Sequence, residues 1–309
     1  MKAAIVRQFG PPNLIEIADM PRPAPGPREV LVAINAAGVG PWDALIREGQ
    51  SVTNPSLPVI LGSDLAGVVE AVGSEMSVFK PGDEVYGVAN EAFTSGYAEF
   101  AAAPAAMLAR KPAKLNFVEA ASAPVVAVTA WQMLFEYGHA ARGQRVLIHG
   151  AGGSVGAFAV QLSRDAGLHV VATASAADAA YVRGLGAQTV IDFRAAKFEE
   201  NLEPVDLVID TQGGEVRERS VGVLKEKGML VSVASPIPDE MARRLGDRAV
   251  FFLVEVTTAR LEKISALFDS GKLLTRVGSV LPLSDARTAH EMLAGAPHLP
   301  GKIVLQISA

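Results

Sequence analysis

Six short hydrophobic runs divide the central part of the chain at regular intervals. They are rich in Val, Ile and Leu without polar alternation, which is typical of parallel strands covered on both faces. The runs are Val146–His149, Val170–Thr173, Thr189–Ile191, Leu207–Asp210, Leu230–Val233 and Val250–Leu253. The segments suited to crossover helices are Ala176–Leu185, Ala195–Leu202 and Gly214–Glu226. Strands joined by helices in this way predict a doubly wound α/β domain.

The N-terminal third has shorter strand patterns separated by turns rich in Pro and Gly, which favours an antiparallel, barrel-like fold. The strand candidates are Met1–Arg7, Glu29–Ala36, Leu65–Val72, Glu84–Gly87 and Gly96–Ala102. At the other end of the chain, Thr257–Ser270 has a helical pattern and Lys302–Ile307 predicts a last strand. We expect this C-terminal segment to pack on the N-terminal domain.

A glycine cluster separates the first central strand from a helical pattern. Gly150, Gly153 and Gly156 follow the strand, with Gly152 as an extra glycine. Glycines let the backbone approach a pyrophosphate, and the free N–H groups of a helix N-terminus attract the anion. The spacing is not G-x-G-x-x-G, but a second strand follows about 20 residues on, as the dinucleotide motif requires. The sequence therefore predicts a nicotinamide or flavin dinucleotide site.

Composition narrows the function. The chain has 309 residues, a net charge of −5 and no cysteine. The sequence has no basic cluster of the kind that binds nucleic acid. The absence of cysteine excludes cysteine-based zinc sites and cysteine nucleophiles. The apolar stretch Phe117–Phe135 carries polar residues and follows an Asn116/Glu119 helix cap, so we interpret it as a buried helical region and not a membrane span. The start is too short in its apolar part for a signal peptide, and we expect a cytoplasmic protein.

Several blocks in the same order resemble the medium-chain dehydrogenase/reductase superfamily, in its zinc-free, quinone oxidoreductase-like branch. The blocks are Ala37-Gly-Val-Gly-Pro-Trp-Asp43, Leu61–Gly73, Phe79–Gly87, the glycine loop, Asp210–Gly214 and Gly301-Lys302-Ile-Val-Leu305. The glycine loop also resembles the family's seven-residue variant G-x-x-G-G-V-G. The resemblance implies a GroES-like, partly open β-barrel catalytic domain from residues 1–119 and 259–309. Residues 120–258 would form a Rossmann NADP-binding domain.

The departures from the family concern the metal and the substrate. Zinc-dependent members have Cys and His where this chain has Gly40 and Ser63, and neither residue binds zinc. We therefore expect no metal site. Quinone reductases of the branch usually have Asn at the position of Gly40, so a substrate role there is in doubt. Ser154 replaces a common glycine of the loop.

The residue after the second central strand determines the preference for NADH or NADPH. An acid there binds the ribose 2′-hydroxyl and favours NADH. This chain has the uncharged Ala174 and Ser175 at that point. Asp178 is interpreted as the partner of a Ser175 helix cap. Ser175 and Arg194 are candidates to contact a 2′-phosphate, although Arg194 equally suits a solvated surface. We predict NADPH in preference to NADH.

The resemblance implies further cofactor contacts. They are Thr129, Gly150, Gly152, Gly153, Ser154, Val155, Thr211, Ala234, Phe252, Val254 and Lys302. Lys302 would reach the pyrophosphate, and a routine edge charge is the alternative. Phe252, Val254 and their neighbours equally suit strand core, and Thr129 equally suits a helix interior.

The reaction that the resemblance implies is hydride transfer to a quinone or an α,β-unsaturated carbonyl. No convincing general acid is visible. Asp43, Trp42 and His149 are weak candidates. Asp43 also suits an ion pair with Arg47, Trp42 also suits core packing, and His149 also suits a buried histidine whose hydrogen bonds are satisfied. An enoyl-thioester reductase, or a nucleotide-binding protein with little catalysis, also stays open. The family often forms homodimers through the last Rossmann strands, and the apolar Val250–Val254 would suit such an edge.

Overall fold

The structure is a computed structural model that describes residues 1–53, 55–200 and 202–308. The strands are β1 (Lys2–Val6), β2 (Glu16–Asp19), β3 (Glu29–Val39), β4 (Val59–Ile60), β5 (Asp64–Val72), β6 (Glu84–Val88), β7 (Phe100–Pro104), β8 (Leu108–Arg110), β9 (Arg145–Ile148), β10 (His169–Ala174), β11 (Thr189–Asp192), β12 (Val205–Asp210), β13 (Leu224–Ser232), β14 (Ala249–Phe251), β15 (Val277–Pro282) and β16 (Lys302–Gln306).

The α-helices are α1 (Pro41–Arg47), α2 (Phe117–Ala121), α3 (Pro124–Trp131), α4 (Ser154–Asp165), α5 (Ala179–Leu185), α6 (Gly214–Ser220), α7 (Asp239–Leu245), α8 (Thr258–Asp269) and α9 (Ala286–Leu293). A π-helical segment, Gln132–Tyr137, continues α3. None of the helices among the described residues has both the length and the apolar character needed to span a bilayer.

The chain divides into two compact units. The first contains Met1–Val125 and the segment from Val256 to the C-terminus, and the second contains Val126–Glu255. The C-terminal segment belongs to the first unit because β16 pairs antiparallel with β3, with Leu305 opposite Ala37. Its packing on the N-terminal domain is thus confirmed.

The first unit is built on two sheets. One has the order β15-β16-β3-β5-β6-β8, with β7 also paired to β3, and the other has the order β2-β1-β4. Their described pairs are antiparallel except β15 with β16. Val30, Leu65, Val85 and Leu108 from four of the strands are buried in one core cluster. The antiparallel expectation is confirmed, although Gly96–Ala102 is not a strand as predicted, because β7 begins only at Phe100.

The second unit is built on one parallel sheet with the order β11-β10-β9-β12-β13-β14. Leu147, Val171, Val208 and Leu230 lie on four neighbouring strands and share one buried cluster. Continuous apolar runs fit this sheet because helices can cover both faces. The doubly wound prediction is confirmed, and it places the carboxyl ends of all six strands on one edge.

Two predicted crossover helices are wrong in extent. Ala195–Leu202 contains only a single 3-10 turn, Phe198–Glu200, and one turn is enough to bring the buried Phe198 to the core; Asn201 lies outside the described residues. The helix predicted over Gly214–Glu226 ends at Ser220, and β13 already begins at Leu224. The sequence Val221-Gly-Val explains the stop, because β-branched residues and glycine are poor helix formers.

Candidate functional site

The glycine loop of the second unit is held in a conformation that only small residues allow. Gly150 has φ +69°, and a Cβ on it would lie 2.4 Å from Thr211 Oγ1. A Cβ on Gly156 would lie 2.3 Å from the carbonyl oxygen of Gly150. Loop and helix therefore pack backbone against backbone, which larger residues would prevent. The backbone N–H of Gly153 donates to the Gly150 carbonyl at 3.0 Å and closes the turn.

Beyond this turn, the N-terminus of α4 is uncapped and accessible. Its N-cap residue is Gly153, which has no side chain to accept the first N–H groups, and the helix bonds begin only with Ala157 N–H to Gly153 O at 2.8 Å. The N–H groups of Ser154, Val155 and Gly156 therefore lack helix partners. Gly153 is exposed, and the nearest atom to a Cβ placed on it is the Gly150 carbonyl oxygen at 3.3 Å. An anionic group such as a pyrophosphate fits this cradle.

The residues that follow β10 form a compact cap. Ser175 Oγ accepts the Asp178 N–H at 3.3 Å and donates to Asp178 Oδ2 at 2.8 Å. The predicted pairing of Ser175 with Asp178 is present, with the hydroxyl as the carboxylate's donor. The contact of Ser175 with a 2′-phosphate stays a prediction. Arg194 lies beyond β11, with its guanidinium 5.5 Å from the ring centre of the exposed Phe193.

The carboxyl end of β12 supports the loop from the other side. Thr211 Oγ1 donates to the His149 carbonyl oxygen at 2.9 Å. Buried Asp210 accepts the backbone N–H groups of Gln212 and Gly213 with Oδ1 and the Ser232 hydroxyl with Oδ2. Thr211 thus holds the strand that leads into the glycine loop, and Asp210 fixes the turn that follows β12.

His149 is a buried structural residue. Its side chain has no exposed surface, Nδ1 lies 3.0 Å from Thr173 Oγ1 and Nε2 lies 2.8 Å from Ser220 Oγ. Burial lowers its pKa to about 4, so the ring is neutral at pH 7. Since both ring nitrogens are engaged and shielded, the geometry favours the satisfied-histidine alternative and argues against acid–base catalysis by His149.

The remaining predicted contacts of the second unit differ in exposure. Ala234 is exposed and Val254 is half-buried, whereas Thr129 is buried in α3. Phe252 is buried and stacks on Tyr137 with ring centres 4.3 Å apart. Its ring therefore packs in the core, which was the alternative to a cofactor contact.

The first unit contains a buried acid close to the position that carries cysteine in zinc enzymes. Asp43 Oδ2 accepts the Gly40 N–H at 2.8 Å and the Tyr97 hydroxyl at 2.9 Å, and burial raises the Asp43 pKa to about 7. The expected Asp43–Arg47 ion pair is wrong. Arg47 contacts Glu48 and His290 instead.

Trp42 and Lys302 lie next to this acid. Trp42 Nε1 donates to Ser63 Oγ at 2.7 Å, and Lys302 Nζ lies 4.2 Å from the centre of the indole ring. The ammonium is also 3.3 Å from Asp64 Oδ2, and both side chains are almost fully buried. Lys302 is therefore not a routine edge charge, and its contact with a pyrophosphate stays a prediction. It belongs to a buried ion pair.

Gly40 has a steric explanation in this arrangement. A Cβ on Gly40 would lie 2.3 Å from the Trp42 ring. The asparagine usual at this position therefore does not fit beside this Trp42 conformation. The residues described here contain no group of three or more His, Asp or Glu side chains arranged to hold a metal.

The structure brings together some predicted residues and adds others. The glycine loop, Ser154, Val155, Ser175 and Thr211 surround the carboxyl ends of β9, β10 and β12. Sequence reasoning missed the pairing of Asp64 with Lys302, and it missed Tyr97. Asp64 occurs in a quoted block, but nothing in the pattern indicates a partner almost 240 positions later in the chain.

Family models match both halves of this description. An alcohol dehydrogenase GroES-like domain matches residues 26–113, and a zinc-binding dehydrogenase model matches residues 185–305. Among curated proteins, the quinone oxidoreductase of Pongo abelii is 30% identical, with 99% of this chain and 97% of the relative covered. The quinone oxidoreductase of Mus musculus is 31% identical over the same shares. The predicted GroES-like and Rossmann domain types are thereby confirmed.

Solved structures are also similar to this chain along nearly its whole length. A quinone oxidoreductase from Coxiella burnetii is 33% identical, with a TM-score of 0.91 over 100% of this chain and 99% of that one. A mycobacterial protein solved in complex with NADPH is 27% identical, with a TM-score of 0.87 over 99% and 100%. The chain is thus an NAD(P)H-dependent oxidoreductase. It belongs to the zinc-free, quinone oxidoreductase-like branch of the medium-chain dehydrogenase/reductase superfamily.

Proposed function

We propose that this oxidoreductase transfers hydride from NADPH to a quinone or an α,β-unsaturated carbonyl compound without a metal ion. The observation that carries the proposal is the uncapped N-terminus of α4 behind the Gly150–Gly156 loop. The nicotinamide of the bound dinucleotide supplies the hydride. The curated quinone oxidoreductases that resemble the chain along its length support the acceptor class.

The chain's own contribution is binding and orientation. Backbone N–H groups of Ser154, Val155 and Gly156 are arranged to bind phosphate oxygens, and Thr211 fixes the strand that leads to them. Conjugated acceptors delocalise the negative charge that the hydride brings, so water or a weak donor can supply the proton and a strong general acid is not required. Holding two reactants in the right orientation can contribute up to about 7–11 kcal/mol.

The preference for NADPH is supported by charge at the end of β10 and β11. Ala174 is uncharged, so the acid that commonly binds an NAD ribose is absent from its usual position. Arg194 is an exposed cation at the end of the neighbouring strand β11. The NADPH complex of the mycobacterial relative points the same way.

The independence from metal rests on the chemistry of the side chains at the zinc positions. Gly40 has no donor atom, and Ser63 is a neutral hydroxyl that already accepts from the Trp42 indole. The chain has no cysteine to supply thiolate. Structural and catalytic zinc in this kind of site needs thiolate, imidazole or carboxylate ligands.

The test follows NADPH oxidation with three acceptors, each with and without a chelator. The acceptors are 9,10-phenanthrenequinone, a 2-alkenal and crotonyl-CoA. We expect turnover of the quinone or the alkenal, unchanged by chelation. Preference for crotonyl-CoA would indicate an enoyl-thioester reductase, and silence on all three despite tight NADPH binding would indicate a nucleotide-binding protein. A kcat/KM for NADH at or above that for NADPH would contradict the cofactor preference.

We also propose a cytoplasmic homodimer that forms through the edge strand β14. This strand is the last of the parallel sheet, and Leu253 just beyond it is 61% exposed. Pairing would cover an unpaired strand edge and this apolar side chain. Light scattering at micromolar concentration is expected to give twice the chain mass, and a monomeric mass would refute the dimer.

A further inference from the structure

Asp178 occupies the space between the second strand and the glycine loop. A Cβ on Gly152 would lie 2.9 Å from Asp178 Oδ2, so the carboxylate packs directly over the loop. Asp178 is half-buried, and the chain reaches it in one 3-10 turn after β10. The turn therefore places a carboxylate against the loop although the strand itself ends in Ala174.

The contacts of Asp178 hold this carboxylate in place. Ser175 Oγ donates to Oδ2 at 2.8 Å and accepts the Asp178 backbone N–H. In this arrangement the Ser175 hydroxyl proton is directed at the carboxylate. The side chain that faces the glycine loop at the end of β10 is thus a negatively charged hydrogen-bond acceptor.

Such a group distinguishes the two nicotinamide dinucleotides. In this fold class an acid at the end of the second strand accepts a hydrogen bond from the ribose 2′-hydroxyl of NADH. A 2′-phosphate carries about two negative charges near neutral pH, so the same acid repels it. Arg194 beyond β11 acts in the opposite direction, as an exposed cation.

On the basis of the proposed nucleotide site, we propose that Asp178 is a specificity-determining residue. It favours the unphosphorylated ribose and limits the preference for NADPH that Arg194 and the uncharged strand end create. The affinities of the wild-type chain for NADPH and NADH are then closer to each other than Arg194 and the uncharged strand end alone would make them. Removal of the Asp178 charge increases discrimination in favour of NADPH.

Calorimetric titration of NADP⁺ and NAD⁺ tests this without turnover. The variants are Asp178→Asn, which removes the charge at nearly constant shape, and Ser175→Ala, which keeps the charge but removes the hydroxyl. Glu226→Gln is the matched control, since it removes one charge near the amino end of β13. The glycine loop lies at the carboxyl ends of the strands, at the opposite end of the sheet. Urea unfolding of each variant checks that the fold persists.

We expect the ratio Kd(NAD⁺)/Kd(NADP⁺) to rise about tenfold in Asp178→Asn, mainly through tighter NADP⁺ binding, a size that a charge pair near a protein surface readily supplies. In Glu226→Gln it should change less than about threefold. In Ser175→Ala, which keeps the charge but removes the hydroxyl that holds the carboxylate, the ratio should rise less than in Asp178→Asn. An unchanged ratio in a folded Asp178→Asn overturns this proposal and leaves the nucleotide site intact. A shift of equal size in Ser175→Ala also overturns it, because loop geometry and not charge would then be responsible. Binding of neither dinucleotide by the wild type would instead refute the proposed function.

Discussion

The glycine loop of the second unit and the polar cluster of the first unit use opposite means to present polar groups. The loop offers backbone N–H groups, and its residues are small and partly exposed. The cluster, which comprises Asp43, Asp64, Tyr97 and Lys302, consists of side chains that are buried almost completely. The loop is thus arranged to receive a charge from outside, whereas the cluster balances charges within the protein.

This difference predicts different responses to mutation. Buried charges lose hydration, and their stability depends on each partner remaining in place. Backbone donors at a helix terminus are already hydrated and keep their direction through the helix itself. Changes in the cluster should therefore mainly alter the free energy of unfolding, and changes at the loop should mainly alter cofactor affinity.

The largest effect is expected from Lys302→Met. This substitution leaves the Asp64 carboxylate buried without its countercharge, which typically costs about 3–5 kcal/mol. Urea unfolding at pH 8 measures the loss. One tryptophan lies in each unit, so a Trp131→Phe background lets Trp42 fluorescence report the first unit alone.

The double variant Asp64→Asn/Lys302→Met is the matched control. Removal of both charges should restore most of the lost stability, since no uncompensated ion remains. A single variant as stable as the wild type would show that the ion pair does not stabilise this unit.

The next largest effect is a dependence of stability on pH. The Asp43 pKa rises from its ordinary 3.8 to about 7 in the folded chain because the carboxyl is buried. Between these values the native state binds more protons than the unfolded state, so stability falls as pH rises from about 4 to 7. The loss is up to about 4 kcal/mol. Asp43→Asn should flatten this slope in urea unfolding followed by Trp42, and an equally steep slope in the variant would contradict the assignment.

For His149 in the second unit we expect the opposite dependence, so that stability rises with pH. Its pKa falls from 6.5 to about 4 on burial, so the native state binds fewer protons than the unfolded state in that range. Stability of the second unit should therefore rise by up to about 3 kcal/mol from pH 4 to 6.5. Trp131 fluorescence in a Trp42→Phe background measures it. His149→Gln should remove the rise, and a wild-type curve without it would refute the neutral buried state.

The same contrast explains what could be predicted from the sequence. The strand, glycines and helix of the loop are consecutive in the chain, so their pattern predicts the local structure directly. The Asp64–Lys302 pair depends on β16 joining the sheet of β3 and β5, which no local pattern specifies. The short crossover before β12 and the early end of α6 were missed because core packing decides there between weak local preferences.

The positions of the candidate cofactor residues were predictable where the backbone alone determines them. Gly153 and Ser154 lie at the uncapped helix end, as the motif predicts. Phe252 and Lys302 were inferred from resemblance, and no local pattern indicated that their side chains pack in the interior. Side-chain direction depends on neighbours that are distant in sequence.

The central claim is that backbone N–H groups at the start of α4 bind the dinucleotide phosphates. Ser154→Pro removes one of these groups without breaking the helix, because proline is tolerated at the first helical position and Gly153 before it is already extended. Ser154→Ala keeps the N–H and serves as the control. By titration calorimetry with NADPH, we predict about tenfold weaker binding for Ser154→Pro than for Ser154→Ala, at equal stability in urea. Equal NADPH affinity of the two variants would contradict the account.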